Sequence, residues 1–302
     1  MPHPAHHLMP AWLIWALTAL LAWGVWAYLS RQIGDALSAE QSQALSTLGL
    51  LPLLAPLWWA SRSSFGAGSR KGLWLALAGG VVSCLGNVPY YAAVARGERF
   101  AALVSLTALA PLVTVLLAVV LLRERLSRPQ LGGAALAFVA IWLFNVSDQA
   151  GFLSPLVLVA LAPIALWGLS GFLQKAATNH VPAGPAALVY LGAFVPLGIF
   201  YAAREPWPNT IPTATWGLVI AMGFLLAFGN YAVLAAYARS GKAAVIAPLV
   251  NLYPLVSIGF ALLMGESVTR REVAGIGCAL AAAVALSWES GAAPPSSATV
   301  PG

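Results

Sequence analysis

Ten runs of apolar residues, each roughly 20 residues long, divide the chain. An α-helix rises about 1.5 Å per residue, so a run of this length crosses the hydrocarbon core of a bilayer. The runs are too long and too uniformly apolar for the alternating strands of a membrane barrel. We therefore predict an all-α integral membrane protein with ten transmembrane helices, at residues 10–30, 43–60, 72–95, 100–122, 129–146, 153–174, 184–203, 214–238, 243–264 and 271–288.

The scarcity of charge supports this assignment. Charged residues make up 8% of the 302 residues and hydrophobic residues 60%, and the mean hydropathy is +0.84. A soluble protein carries about 25% charged residues. The net charge of +6 comes from basic residues in short gaps between apolar runs, where anionic lipid headgroups explain them better than nucleic acid does. We therefore expect the lipid bilayer as a partner, and no nucleic acid.

The basic residues also indicate the orientation of the chain. With the N-terminus in the cytoplasm, nine of them fall in the inner gaps and six in the outer gaps. Cytoplasmic loops carry an excess of Lys and Arg, so we predict a multi-pass protein of the inner (plasma) membrane with both termini in the cytoplasm. The nine inner residues are Arg62, Arg70, Lys71, Arg123, Arg125, Arg128, Lys175, Arg239 and Lys242.

An internal repeat relates the two halves of the chain. Residues 86–113 and 229–256 align with a shift of 143 residues and are identical at 12 of 28 positions. Composition alone explains about one identity in ten, so the excess indicates a duplication. The aligned pairs include Gly86 with Gly229, Asn87 with Asn230, Pro111 with Pro254 and, further upstream, Trp23 with Trp167 and Ser30 with Gln174.

Each half contains five of the ten predicted spans. Because five is odd, the second half enters the membrane from the opposite side. The result is an inverted repeat, on which many secondary transporters are built. We therefore predict a first five-helix repeat over residues 1–148, a second, inverted repeat over residues 149–288, and a disordered tail over residues 289–302.

The chain resembles the EamA-type branch of the drug/metabolite transporter superfamily over nearly its whole length. The resemblance is carried by the two five-span halves, by the Pro-Leu-Val run in each, and by the Glu, polar turn and Gly-rich last span that follow. The Trp-Gly pairs at Trp23 and Trp167 and the aromatic third span resemble the YddG-type exporters of aromatic and other amino acids. The resemblance implies a central cavity, with the fifth and tenth spans peripheral, and a secondary transporter that exports small metabolites, in particular aromatic or other neutral amino acids.

Polar and aromatic side chains in mid-span mark the expected cavity wall. Asn87, Tyr90 and Tyr91 share one face of the third span, and because they are costly against lipid this face should point inward. Aromatic walls with a few hydrogen-bonding groups suit a small amphipathic zwitterion. The predicted substrate-binding residues are Trp23, Trp26, Asn87, Tyr90, Tyr91, Ser105, Trp167, Ser170, Asn230, Asn251 and Tyr253.

Each of these residues also has a purely structural interpretation. Asn, Ser and Thr often form hydrogen bonds between transmembrane helices, and Asn87 and Asn230 each follow a glycine that allows close packing. Pro111 and Pro254 lie in mid-span, where each removes a backbone hydrogen bond and bends its helix. We interpret the prolines as gating positions at which two bundles rock against each other. A fixed kink is the alternative.

The residues missing from the spans limit the mechanism. No Asp, Glu, His, Lys or Arg lies at mid-depth, although proton-coupled carriers usually need such a group. The ATP-binding sequence G-x-x-x-x-G-K-S/T is absent, and the two cysteines suggest no metal cluster. We predict a monomer that works by alternating access down a substrate gradient, with no cofactor, metal site or catalytic residue. The alternatives are a carrier for another small metabolite or drug and a channel-like facilitator; we do not expect an enzyme.

Overall fold

The computed structural model describes residues 9–67, 69–97, 100–108, 110–121, 123, 127–145, 155–239, 242–265 and 269–286, and their regular structure is helical. The first half contains α1 (Ala11–Ile33), α2 (Ala39–Ser61), the 3₁₀ segment η1 (Arg62–Ala67), α3 (Arg70–Ala95), α4 (Phe100–Thr107), α5 (Ala110–Leu121) and α6 (Arg128–Asn145). The second contains α7 (Pro155–Thr178), α8 (Ala183–Gly192), α9 (Phe194–Arg204), α10 (Thr213–Ala238), α11 (Ala243–Val250), α12 (Pro254–Leu263) and α13 (Arg270–Leu286). The predicted tail over residues 289–302 lies outside the described residues.

Within the described residues, six helical segments are long and apolar enough to cross a membrane, judged by length and composition. They coincide with the predicted first, second, third, sixth, seventh and eighth spans. The predicted fourth and ninth spans are each divided into two shorter helices, and the fifth and tenth correspond to α6 and α13, of 18 and 17 residues. The full number of ten transmembrane helices therefore stays a prediction. The six segments are Ala11–Ile33, Ala39–Phe65, Arg70–Ala95, Val159–Thr178, Ala183–Arg204 and Thr213–Ala238.

The fourth and ninth spans both break next to the proline expected to bend them. The first break separates Thr107, the end of α4, from Ala110, the start of α5, and Pro111 follows at once. The second separates Val250, the end of α11, from Pro254, which begins α12. Proline lacks the N–H that a helix interior needs but fits the first turn of a helix. Each proline therefore lies in the first turn of a new helix.

Helices pack mainly across the two halves of the chain. The closely packed pairs are α1 with α10, α3 with α7, α2 with α10, and α6 with α13. Glycines set the spacing between α2 and α10: a methyl group on Gly49 would overlap the Ile220 carbonyl, and one on Gly223 would overlap the Ser46 carbonyl. Small residues at a helix interface let two backbones approach closely, which is how transmembrane helices commonly associate.

Turns from the two halves meet at both ends of the bundle. At one end Ser38, between α1 and α2, donates from Oγ to Glu205 Oε2 over 2.9 Å, just after α9. At the other end Ser69, between η1 and α3, donates its backbone N–H to the His180 carbonyl over 3.1 Å, just after α7. Since α2 runs from the first end to the second, α1 and α7 finish at opposite ends and run in opposite directions.

The outer surface of the bundle is apolar, while polar side chains lie inside it. Leu263 is 82% exposed, and Trp59, Trp74 and Val120 are also largely exposed. The buried polar residues include Gln43, Asn87, Gln174 and Asn230. This distribution suits a hydrocarbon environment, in which polar groups must find partners within the protein.

Candidate functional site

A cavity of about 50 Å³ lies among helices of both halves. The volume suffices for a few water molecules or one small polar group. Each wall residue is uncharged at neutral pH. Eight of the predicted substrate-binding residues line it: Trp23, Trp26, Asn87, Trp167, Ser170, Asn230, Asn251 and Tyr253. The other wall residues are Ser83, Thr114, Gly171, Gln174, Tyr190, Leu226, Val233, Tyr237, Ala247 and Val250.

Asn87, on α3, is fully buried and joins three helices. Its Nδ2 donates to Gln43 Oε1 of α2 over 2.9 Å, and its Oδ1 accepts from Trp167 Nε1 of α7 over 3.0 Å. Gly86 precedes it, and the Trp167 indole lies where a side chain at that position would project. The glycine therefore admits the indole and the asparagine binds it. Asn87 is both a wall residue and an interhelical link.

Asn230, on α10, has a different set of partners. Its Oδ1 lies 3.0 Å from the Tyr190 hydroxyl of α8 and 3.2 Å from Gln174 Nε2 of α7. Its Nδ2 donates to the Leu226 carbonyl of its own helix over 2.9 Å. The Tyr190 hydroxyl is also 2.9 Å from Ser170 Oγ, which places this predicted residue in the same network. Both lone pairs of the Asn230 carbonyl are therefore occupied.

Two tryptophans take matching places against the two Gly-Asn pairs. The Trp167 indole lies against Gly86, and the Trp23 indole lies against Gly229. Trp167 Nε1 donates to Asn87, whereas Trp23 Nε1 is buried without a hydrogen-bond partner among the described residues. The packing of the two indoles is thus alike in both halves, but their hydrogen bonding is not.

Tyr90 and Tyr91 lie behind the cavity wall. The Trp26 ring stacks on Tyr90 with 5.0 Å between centroids, and Trp26 Nε1 donates to the Tyr91 hydroxyl over 3.1 Å. The Tyr90 hydroxyl is 3.2 Å from Ser30 Oγ. The two tyrosines share the helix face of Asn87 but lie one turn further along it, and both rings contact Trp26, which lines the cavity. The structure therefore brings them to the aromatic layer that supports Trp26.

Tyr253 connects the broken regions of the two halves. Its hydroxyl lies 2.6 Å from Thr107 Oγ1, so the irregular stretch before α12 touches the end of α4. Asn251 lines the cavity and donates from Nδ2 to the carbonyl of Ala247 over 2.8 Å. Ser105 lies away from the cavity wall: it is buried, and its Oγ donates within its own helix to the Ala101 carbonyl over 2.6 Å.

The glycine of each Trp-Gly pair packs against one of the breaks. A methyl group on Gly168 would overlap the Ala110 carbonyl and Val113 at the start of α5, and Thr114 Oγ1 donates to the Gly168 carbonyl over 2.7 Å. A methyl group on Gly24 would overlap Val256 in α12. Pro111 and Pro254 are both buried in these first turns. The packing thus holds each break against a helix of the other half.

The sequence did not single out several polar residues of the site. Gln43 and Gln174 stand at the edges of the predicted second and sixth spans, but α2 begins at Ala39 and α7 continues to Thr178. Both glutamines therefore lie about one turn inside their helices, where buried amides are costly without partners. Tyr190 lies in the predicted seventh span, whose orientation the apolar pattern did not fix.

Comparisons with known proteins agree with this fold. The EamA-like transporter family matches the chain twice, over residues 10–146 and 154–288. Curated proteins give no significant match. A solved crystal structure superposes with a TM-score of 0.70 at 18% sequence identity, over 92% of this chain and 95% of the other, which shows likeness of fold alone. Since the family matches cover most of the chain, the protein belongs to the EamA-like transporter family of multi-pass membrane proteins that transport small molecules.

Proposed function

We propose that the protein is a secondary transporter that exports small metabolites, specifically aromatic or other neutral amino acids. The observation that carries the proposal is the uncharged, aromatic-walled cavity to which the aligned residues Asn87 and Asn230 both contribute. Ring faces attract an ammonium group, and amide and indole N–H groups can donate to a carboxylate. Buried charged groups of one sign, which an ionic substrate of high charge would need, are not among the wall residues.

The proposed mechanism is alternating access. A cavity of about 50 Å³ is too small for an aromatic amino acid, so binding one requires helices around it to separate. The breaks before Pro111 and Pro254 offer places where α5 and α12 can change angle, and the contact between Tyr253 and Thr107 would have to open or shift. Rocking of one repeat against the other would then expose the cavity to each side in turn.

We further propose the predicted topology: ten spans in a five-plus-five inverted repeat, in the inner (plasma) membrane, with both termini in the cytoplasm. The opposite directions of α1 and α7 support the inversion. So does the pairing of turns, because the turn after α1 meets the turn after α9 and the turn before α3 meets the turn after α7, which places equivalent turns at opposite ends of the bundle. We expect the transporter to act as a monomer, because the cavity lies within one chain.

Reconstituted protein is expected to exchange labelled neutral amino acids across liposome membranes without ATP. Uptake should saturate with substrate concentration. Unlabelled amino acid inside the vesicles should accelerate it, because a carrier that returns with bound substrate exchanges faster than one that returns empty. A panel of amino acids, other metabolites and drugs, measured by this counterflow, identifies the substrate class. Flux that rises linearly and shows no counterflow would indicate a channel-like facilitator, and counterflow only with other compounds would indicate a different carrier.

A further inference from the structure

Two buried side-chain atoms in the cavity wall lack a hydrogen-bond partner within the part of the chain that the structure describes. One is the donor Trp23 Nε1, and the other is the acceptor Gln174 Oε1. Gln174 is 2% exposed, and its Nε2 is already bound to Asn230, which fixes the amide with its oxygen unpaired. Buried polar atoms are seldom left unpaired, because each loses its hydrogen bonds to water on burial.

The two atoms flank the same turn of α10. Gln174 Nε2 lies 3.2 Å from Asn230 Oδ1, and the Nε1 edge of Trp23 lies against Gly229, the preceding residue. Both residues line the cavity, but the two atoms themselves are covered by their neighbours. When the helices separate, as binding an amino acid requires, one small molecule in the cavity meets a donor from α1 and an acceptor from α7. An α-amino acid carries the complementary pair on its α-carbon, a carboxylate that accepts and an ammonium group that donates.

The aligned residues of the repeat do not offer such a pair. Trp167, the equivalent of Trp23, uses its Nε1 to bind Asn87. Ser30, the equivalent of Gln174, lies 3.2 Å from the Tyr90 hydroxyl and donates to the Ala27 carbonyl over 2.7 Å. Trp167 and Ser30 thus form hydrogen bonds within the protein, whereas Trp23 Nε1 and Gln174 Oε1 remain open, although the surrounding packing is alike. An open donor and an open acceptor in one cavity indicate a ligand with both functions.

The geometry points to Trp23 and Gln174 as the residues that recognise the two charged groups of the substrate. Trp23 Nε1 donates to the carboxylate, and Gln174 Oε1 accepts from the ammonium group. The inference rests on the proposed function, since it assigns contacts inside the same cavity. It goes further by requiring that both groups be present for tight binding and by giving each group to one residue.

The test uses wild-type protein, Trp23→Phe and Gln174→Leu in liposomes, with trace labelled phenylalanine in counterflow. The competitors are phenylalanine, phenethylamine, which lacks the carboxylate, and 3-phenylpropionate, which lacks the ammonium group. We expect Trp23→Phe to weaken inhibition by phenylalanine and by phenylpropionate about tenfold, and to leave inhibition by phenethylamine unchanged. We expect Gln174→Leu to weaken inhibition by phenylalanine and by phenethylamine about tenfold, and to leave inhibition by phenylpropionate unchanged.

The repeat supplies matched control variants. Trp167→Phe and Ser30→Ala remove groups that are bound within the protein, so each should shift all three competitors by the same factor. If Trp23→Phe and Gln174→Leu also shift all three equally while wild-type counterflow persists, the assignment of contacts is wrong and the proposed function stands. If the wild-type protein shows no saturable counterflow of phenylalanine or another amino acid, both the assignment and the proposed function are wrong.

Discussion

Asn87→Leu is expected to lower the free energy of unfolding by about 3 kcal/mol and to reduce saturable transport at least about tenfold. Leucine has a similar size but can neither donate to Gln43 nor accept from Trp167. The buried Gln43 side-chain oxygen and the partly buried Trp167 N–H would each lose this partner, and a buried group left unpaired costs about 1–3 kcal/mol. The Trp167 indole would also lose the bond that fixes it in the cavity wall. Unfolding in mixed detergent micelles measures the first effect, and counterflow measures the second.

A triple variant separates stability from function. Gln43→Leu, Asn87→Leu and Trp167→Phe together remove the three linked polar side chains. Thr47 Oγ1, which lies 3.5 Å from Gln43 Nε2, keeps its bond to the Gln43 backbone carbonyl, so no buried donor is left unpaired. Such a replacement by apolar residues is often close to neutral for stability. We expect the triple variant to recover most of the lost stability but not the transport, since the polar wall is still missing. Wild-type stability and transport in the single variant would show that the network is not essential to either.

Gly223→Ala is expected to be among the most destabilising single changes in the protein, by about 3 kcal/mol or more. The added methyl group would overlap the backbone of Ser46 in α2, and a backbone atom cannot move aside as a flexible side chain can. The whole of α2 would have to shift away from α10, and the adjacent contact of Gly49 with Ile220 would open with it. Thermal unfolding in detergent measures the loss.

Gly217→Ala is the matched control in the same helix. Nothing lies within 4 Å of a methyl group placed there, so the only expected effect is the small gain in helix propensity of alanine over glycine. Equal melting temperatures for Gly223→Ala and Gly217→Ala would mean that α2 and α10 do not pack through the glycine contact. The same comparison tests the packing between the two halves on which the site depends.

Apolar runs and prolines predicted much of the helical framework. Each of the ten predicted spans overlaps one helix or two helices in line within the described residues, and the fourth and ninth spans break beside the proline chosen from the sequence. The sequence could not show that α8 and α9 are also separate helices, at Ala193, although Pro196 follows within three residues. Pro52 and Pro56 lie inside α2 without ending it, so proline alone does not decide where a helix breaks.

The site was harder to predict than the framework. A helical face can be predicted from residue spacing, and this identified Asn87. The internal repeat then identified Asn230 as its equivalent. The depth of a residue behind another helix cannot be read that way, which is why Tyr90, Tyr91 and Ser105 were placed in the cavity wall. Gln174 and Tyr190 were missed because both bind Asn230, which lies on a different helix, and spacing along one helix does not reveal contacts between helices.

The two halves share packing but not hydrogen bonding. Gly24 and Gly168 hold equivalent breaks, and Trp23 and Trp167 cover equivalent glycines. The bonds around Asn230 have no copy around Asn87, because Gln174 replaces the short side chain of Ser30. Packing of small residues is set by the backbone and persists in a duplicated fold, whereas a single polar substitution is enough to change a network. Substrate selection should therefore reside in the unequal residues.

The substrate is expected to occupy the cavity between the two halves. The most direct measurement compares counterflow by Val233→Phe with counterflow by Ile220→Phe, in equal amounts of folded protein. Both residues lie on α10, but Val233 is 1% exposed and lines the cavity, whereas Ile220 is 41% exposed on the outer surface. We predict that Val233→Phe loses saturable amino-acid counterflow because the ring fills the cavity, and that Ile220→Phe keeps it. Undiminished counterflow by folded Val233→Phe would show that the substrate does not occupy this cavity.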